Sequence, residues 1–311
     1  MASSDRVGVI GLGIMGSAMA ANLMRGGFKA LGYDLRAQRR KELLRGGGQV
    51  ARNARDLAKR VPVVITSLPS SDSLLQVATE IASGRSAGQI VIETSTLPIA
   101  IKDRARKILG AEKVTLIDCP LSGTGAQAKV KDIAVYASGP RSAYRRCIPV
   151  FEAFARTHYF LGPFGTGSKM KFLANLLVAI HNVSTAEALV LGMKAGLDPA
   201  LMVRVLGDGA GASRMLQVRG PMMVRNDYSE ATMKLGVWQK DMQIIGDFAR
   251  ALDCPTPLFA ATIPIYNAAM AHGLAEADTA CVCTLLEGLA KVDRALPSGS
   301  RKVRLQDRTP M

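Results

Sequence analysis

The hexapeptide GLGIMG at 11–16 constrains this chain more than any other segment. It follows an apolar, β-branched run, VGVI at 7–10, and leads into the helix-forming stretch SAMAANLMRGG. That context predicts a strand, a tight turn and a helix whose amide end faces a pyrophosphate. Gly11 allows the turn, Gly13 lets the phosphates approach the backbone, and Gly16 permits close helix packing, while Leu12, Ile14 and Met15 complete the cofactor-binding loop. Asp34 follows the next apolar run, 18 residues past Gly16, where a carboxylate accepts from the adenosine ribose hydroxyls and repels a 2′-phosphate. This favours NAD. Arg36, with Arg39 and Arg40 close behind, carries the opposite chemistry and leaves NADP open.

The first half of the chain continues in the same rhythm. VGVI, ALGY at 30–33, VVIT at 63–66, IVIE at 90–93 and TLID at 115–118 alternate with helical stretches, as parallel βαβ units do. Two more runs, IAVYAS at 133–138 and HYFLG at 158–162, are expected to complete the sheet. After residue 167 strand signals stop. Residues 168–195 read as one helix, opened by GPFGTG and closed by Gly196 with Pro199 soon after. At 1.5 Å per residue it would span roughly 40 Å, more than one small domain offers, so it is expected to join two domains. Further helical stretches are DPALMVRVLGD, EATMKLGVWQKDMQIIGDFARAL, IPIYNAAMAHGL and DTACVCTLLEGLAKV. The expected architecture is α/β, with an N-terminal Rossmann-type doubly wound sheet over 1–163 for NAD(P). An all-α substrate and oligomerisation domain follows over 164–295, then a basic flexible tail over 296–311.

Composition excludes several alternatives. A chain that is 48% hydrophobic with 30 glycines is not disordered over most of its length. The cysteines (Cys119, Cys147, Cys254, Cys281, Cys283) show no CxxC pairing and read as free core thiols in a reducing compartment. His158, His181 and His272 lack metal-ligand spacing, so no metal is expected. Met15, Met19 and Met24 read as packing residues on the helix after the glycine loop. The start MASSDRVGVIGLG lacks the basic and apolar regions of a secretory signal, which makes the cytoplasm the expected location. The apolar run 172–193 is broken by His181, Asn182, Ser184, Thr185 and Glu187 and reads as a buried helix rather than a membrane span.

The formal charge of +15 is concentrated. Residues 36–60 carry nine Lys or Arg against two acids, and residues 291–311 carry six against two. Neither stretch is interleaved with aromatic residues that could stack on bases, so they read as a solvated basic face and a tail, with no specific nucleic-acid partner.

Five further motifs occur in order: LP at 68–69, ETST at 93–96, DCPLSGT at 118–124, GTGSKMKFLAN at 165–175 and KD at 240–241. With GLGIMG they make residues 6–292 resemble the β-hydroxyacid dehydrogenase family, which includes 3-hydroxyisobutyrate dehydrogenase, tartronate semialdehyde reductase and L-threonate dehydrogenase, and is 6-phosphogluconate dehydrogenase-like. The resemblance implies an oxidoreductase acting on the hydroxyl of a small 3-hydroxy acid substrate, with Lys171 as the catalytic proton acceptor or donor and Asn175 beside it. Helical geometry agrees, because two residues turn a helix by about 200°, which sets Lys169 opposite Lys171 and puts Asn175 one turn along on the Lys171 face. Lysine can lose or supply a proton at a carbinol oxygen when partly desolvated.

The resemblance further implies that Ser122 and Gly123 grip the substrate carboxylate, with Thr124 replacing the second glycine of the family's usual SGG. Leu68, Pro69, Ser95 and Thr96 would lie along the cofactor, Ser95 and Thr96 by the nicotinamide. Lys240 would reach back toward cofactor and substrate from the helical domain, the active site would lie in the cleft between domains, and the protein would be a homodimer or homotetramer. An NADPH-dependent reductase of semialdehydes or imines is the first alternative, although imine-reducing relatives usually lack the lysine. A non-enzymatic nucleic-acid-associated relative is the second. GAGASRML, DY at 227–228 and AEADTACV resemble the L-threonate branch, but Ala174 stands where that branch tends to carry a histidine.

Overall fold

A computed structural model of the protein describes residues 5–86 and 88–294, so the expected tail at 296–311 lies outside the described residues. The first half runs β1 (Arg6–Ile10), α1 (Ile14–Arg25), β2 (Lys29–Tyr33), α2 (Ala37–Arg45), β3 (Gln49–Val50), α3 (Ala54–Ala58), β4 (Val63–Thr66), α4 (Ser71–Gly84), β5 (Ile90–Glu93), α5 (Ile99–Ala111) and β6 (Thr115–Asp118). These strands form a parallel six-stranded sheet in the order β3-β2-β1-β4-β5-β6. Strand order reverses between β1 and β4, and open α/β sheets bind ligands at the carboxyl ends of the strands at such a point.

The strands are apolar throughout because both faces are covered, and their period of two divides them cleanly. Val7, Val9, Ile65, Ile92 and Ile117 join one core, whereas Ile10, Val64, Val91 and Leu116 join the other. Met19 is fully buried in the first core, with Met15 and Met24 packed against it.

The chain then continues through β7 (Leu121–Ser122), α6 (Gly125–Lys129), β8 (Ala134–Ala137), α7 (Arg141–Phe154) and β9 (Thr157–Phe160). Here the structure departs from the sequence reading. The runs expected to complete the large sheet form a separate three-stranded sheet in the order β7-β8-β9, with β7 antiparallel to β8. Pro120, which has no amide hydrogen, interrupts the ladder after β6. A single bridge, Asp118 with Ser138, ties β6 to the segment after β8.

Contacts divide the chain into two compact units, residues 1–175 and 176–311. The division falls inside α8 (Thr166–Lys194), one helix of 29 residues close to the expected span. Next come α9 (Pro199–Gly207), α10 (Arg214–Arg225), α11 (Leu235–Arg250), α12 (Pro257–Ala271) and α13 (Val282–Ala290). By length and composition α8 could cross a membrane. Its Asn182 instead donates to Tyr266 Oη at 3.1 Å and to the Thr279 carbonyl at 2.8 Å, which ties the helix into the core of the helical unit. The cysteines are free, but Cys254 is exposed rather than in the core. Among the described residues no group of three or more His, Cys, Asp or Glu is placed to hold a metal ion.

Residues 230–234, expected to open a helix, form a bend and a bridge to Asp278 instead. The cause is the buried Asp278 carboxylate, which accepts from Thr232 N and Oγ1 at 2.8 Å and from Met233 N at 3.1 Å, and pairs with Arg219 at 3.1 Å. Burial pushes the Asp278 carboxyl up, but Arg219 and these donors outweigh it and hold the group below the usual carboxylate range. A depressed carboxyl stabilises the fold above its unfolded value, and the effect fades as pH falls through its folded value. Asp278→Asn is therefore expected to cost about 2 kcal/mol at neutral pH, read by urea denaturation, with the difference from wild type shrinking in acid.

Candidate active site

At the start of α1 the glycine loop is shaped by its neighbours. Gly11 adopts a φ of +89°, and a Cβ there would lie 2.1 Å from the Ser67 carbonyl. A Cβ on Gly16 would lie 1.8 Å from the Gly11 carbonyl, so the helix can approach only as glycine. Gly13 is the N-cap of α1, with no side-chain cap, and a Cβ on it would meet only the Arg39 guanidinium at 3.7 Å. An uncapped helix start with open backbone is where a pyrophosphate fits. Leu12 is buried, Ile14 exposed and Met15 half-buried.

Asp34 is buried directly beside this loop. Its carboxylate accepts from Leu12 N and Arg36 N, both at 2.8 Å, and pairs with Arg39 at 3.1 Å. Arg36 contributes its backbone as the N-cap of α2, so Arg39 rather than Arg36 is the arginine at the carboxylate. Arg40 caps the carbonyls of Asp34 and Leu35.

Across the sheet, Ser95 follows β5. Its hydroxyl accepts from Leu68 N at 2.8 Å and its amide donates to Glu93 at 2.9 Å, which joins the 68–69 and 93–96 motifs in one turn. Thr96 is half-buried and Pro69 exposed. After β6, Ser122 lies in β7 and Gly123 takes a φ of +137°, with no room for a Cβ beside Ile133. Thr124 caps α6 in a capping box with Gln127, so its hydroxyl has a local structural partner.

Lys171 and Asn175 are 8% and 4% exposed on α8, whereas Lys169 is exposed. The helix begins where it does because Ser168 donates through its amide and its hydroxyl to Asp118, both at 2.8 Å. Gly167 fits against the Tyr136 carbonyl, which a Cβ would approach to 2.2 Å. All of these residues belong to the first unit. Lys240 belongs to the second, on α11, and pairs with its neighbour Asp241 at 2.9 Å.

The sequence reading missed one group entirely. Lys102, Glu93 and Asp118 are completely buried together, with the Lys102 ammonium 2.6 Å from Glu93 and 2.8 Å from Asp118. Burial pulls the Lys102 ammonium down, but the two carboxylates outweigh it and hold its pKa above the ordinary value. The available signal was IVIE and TLID, two parallel strands that each end in an acid.

Residues 6–162 match the family model for the NAD binding domain of 6-phosphogluconate dehydrogenase, and residues 165–286 match that for the NAD-binding of NADP-dependent 3-hydroxyisobutyrate dehydrogenase. L-threonate dehydrogenase of Cupriavidus necator is 31% identical over 92% of this chain and 97% of its own length. The chain belongs to the β-hydroxyacid dehydrogenase family. Among other members, NAD-dependent L-serine dehydrogenase of Pseudomonas aeruginosa is 30% identical over 91% of this chain and 98% of its own. The crystal structure of 3-hydroxyisobutyrate dehydrogenase from Salmonella typhimurium matches with a TM-score of 0.83 at 30% identity, covering 90% of this chain and 99% of that one. As a member of this family the protein is an NAD(P)-dependent oxidoreductase acting on CH-OH groups.

Proposed function

We propose that the protein oxidises the hydroxyl of a small hydroxy acid of the L-threonate or 3-hydroxyisobutyrate type, with NAD as the preferred coenzyme and Lys171 handling the proton. The observation that carries this reading is the buried pair Lys171 and Asn175 one turn apart on α8, with Lys169 on the exposed side. Neutral Lys171 accepts the proton from the substrate hydroxyl, and Asn175 orients that hydroxyl or the lysine. Ser122 and the Gly123 amide hold the carboxylate, with Thr124 shaping that end. When bound, the dinucleotide supplies the hydride acceptor. The loop amides at Gly11 to Gly16 hold its pyrophosphate, Asp34 its adenosine ribose, and Leu68, Pro69, Ser95 and Thr96 flank its nicotinamide end. The name of the Cupriavidus relative supports the L-threonate branch. A panel of 3-hydroxy acids and sugar acids, followed by the absorbance of reduced nicotinamide, tests this reading. Turnover of none of them would reject it. The homodimer or homotetramer of the family is part of the same reading, and sedimentation of the purified protein tests it.

Coenzyme choice rests on Asp34. NAD is expected to exceed NADP in kcat/KM, and Asp34→Ser to narrow the gap by about tenfold or more, since the change removes both the ribose acceptor and the charge opposing a phosphate. The second reading, an NADPH-dependent semialdehyde reductase, is favoured by Arg39, whose guanidinium lies 3.1 Å from Asp34 and beside Gly13. A wild-type preference for NADP that Arg39→Ala abolishes would establish that reading instead.

A further inference from the structure

Glu93 and Asp118 end two adjacent parallel strands and stand opposite each other in register. Two buried carboxylates at that spacing repel, and Lys102, reaching in from the first turn of α5, neutralises one charge between them. Burying three ionised groups is costly, and an apolar set of the same volume would hold the strands at least as well. An apolar set could not aim the donors that converge here. Glu93 turns its other oxygen to the Ser95 amide at 2.9 Å, and Ser95 in turn accepts from Leu68 N. Asp118 accepts the Ser168 amide and hydroxyl at the start of α8. Ser138, which donates to Asp118 at 3.2 Å, accepts from Gly167 N at 2.9 Å. Charge-assisted bonds of this kind are short and directional, and they connect the turn at Leu68 and Ser95 to the helix start three residues before Lys171.

We propose that Lys102 is a positioning residue: by clamping Glu93 and Asp118 it fixes the Ser95 turn and the first turn of α8 as one rigid piece, and so sets where the Lys171 side chain stands. The inference rests on the role proposed above for Lys171. Lys102 is fully buried and touches neither substrate nor dinucleotide directly in this scheme, so its effect passes through the geometry of α8.

The test uses Lys102→Met, Asp118→Asn and Ser168→Ala in the full-length protein, reading kcat and each KM, NAD affinity by calorimetry, and hydrogen exchange of the amides at 168–171. Ser168→Ala, which leaves the charged triad whole, should lower kcat about tenfold with the KM for NAD within about twofold, because small misplacements of a reacting group act on the chemical step. Exchange at 168–171 should quicken about tenfold, while exchange in α1 stays as in wild type. Lys102→Met should show the same pattern more strongly. If it fails to fold, Ser168→Ala and Asp118→Asn decide. The proposal is overturned if those two leave kcat and the exchange at 168–171 unchanged, or if they lower thermal stability alone. Should the wild type turn over no hydroxy acid, the reading of the reaction fails by itself; the exchange at 168–171 still decides whether the clamp holds the helix start.

Discussion

Lys171→Ala is expected to lower kcat by about 10³, within the range that a positioned acid or base contributes, while the affinity for NAD stays within about twofold. The proton on the substrate hydroxyl must leave as the carbon becomes a carbonyl, and the alanine variant has no group on that face of α8 to take it. Lys169→Ala is the control, because Lys169 stands on the exposed side of the same helix and should change kcat little. Stopped-flow and steady-state rates with the best acid from the panel give the comparison, and added small primary amines should restore part of the lost rate in the alanine variant alone. A larger loss from Lys169→Ala than from Lys171→Ala would move the catalytic role by half a helical turn and defeat the assignment.

Gly16→Ala should raise the dissociation constant for NAD by at least about 10² and lower the melting temperature as well, because its Cβ would sit 1.8 Å from the Gly11 carbonyl. Relief requires α1 to move off β1 or Gly11 to leave its left-handed conformation, and either change dismantles the turn. Gly13→Ala separates the two roles of the loop. Its Cβ would meet nothing closer than the Arg39 guanidinium at 3.7 Å, so the variant should melt like wild type yet bind NAD more weakly, since the added methyl occupies the approach of the pyrophosphate. Calorimetric titration with thermal melts of both variants checks this, and wild-type affinity in Gly13→Ala would place the phosphates elsewhere.

Much of the molecule was readable before any coordinates because its signals are local. The five apolar runs became strands at nearly the expected bounds, since a strand buried on both faces must be apolar throughout and its ends are marked by turns. VGVI and GLGIMG became a strand, then a turn and a helix start, because only glycine tolerates the contacts at positions 11 and 16. That Lys171 and Asn175 share a face opposite Lys169 follows from helical periodicity, whereas which of the two faces is buried, that of Lys171 and Asn175, is a finding of the structure.

What the sequence could not determine depends on pairings between distant residues. Whether residues 134–137 and 157–160 extend the large sheet or leave it was decided by the partner of β8, which is β7 beyond Pro120 rather than β6. The segment before Leu235 has helical composition, yet Asp278, more than forty residues later, takes the Thr232 and Met233 amides and delays the helix. The Arg39 guanidinium pairs with Asp34, whereas Arg36, the cap of α2, meets that carboxylate through its backbone amide. Nothing in the local sequence marks Lys102, whose meaning arises from two strand ends set side by side by the sheet register, where two carboxylates need a cation between them. Local pattern determines which elements form, because it reports burial and backbone preference. Which charges end up adjacent is a property of the register, and only the tertiary structure decides it.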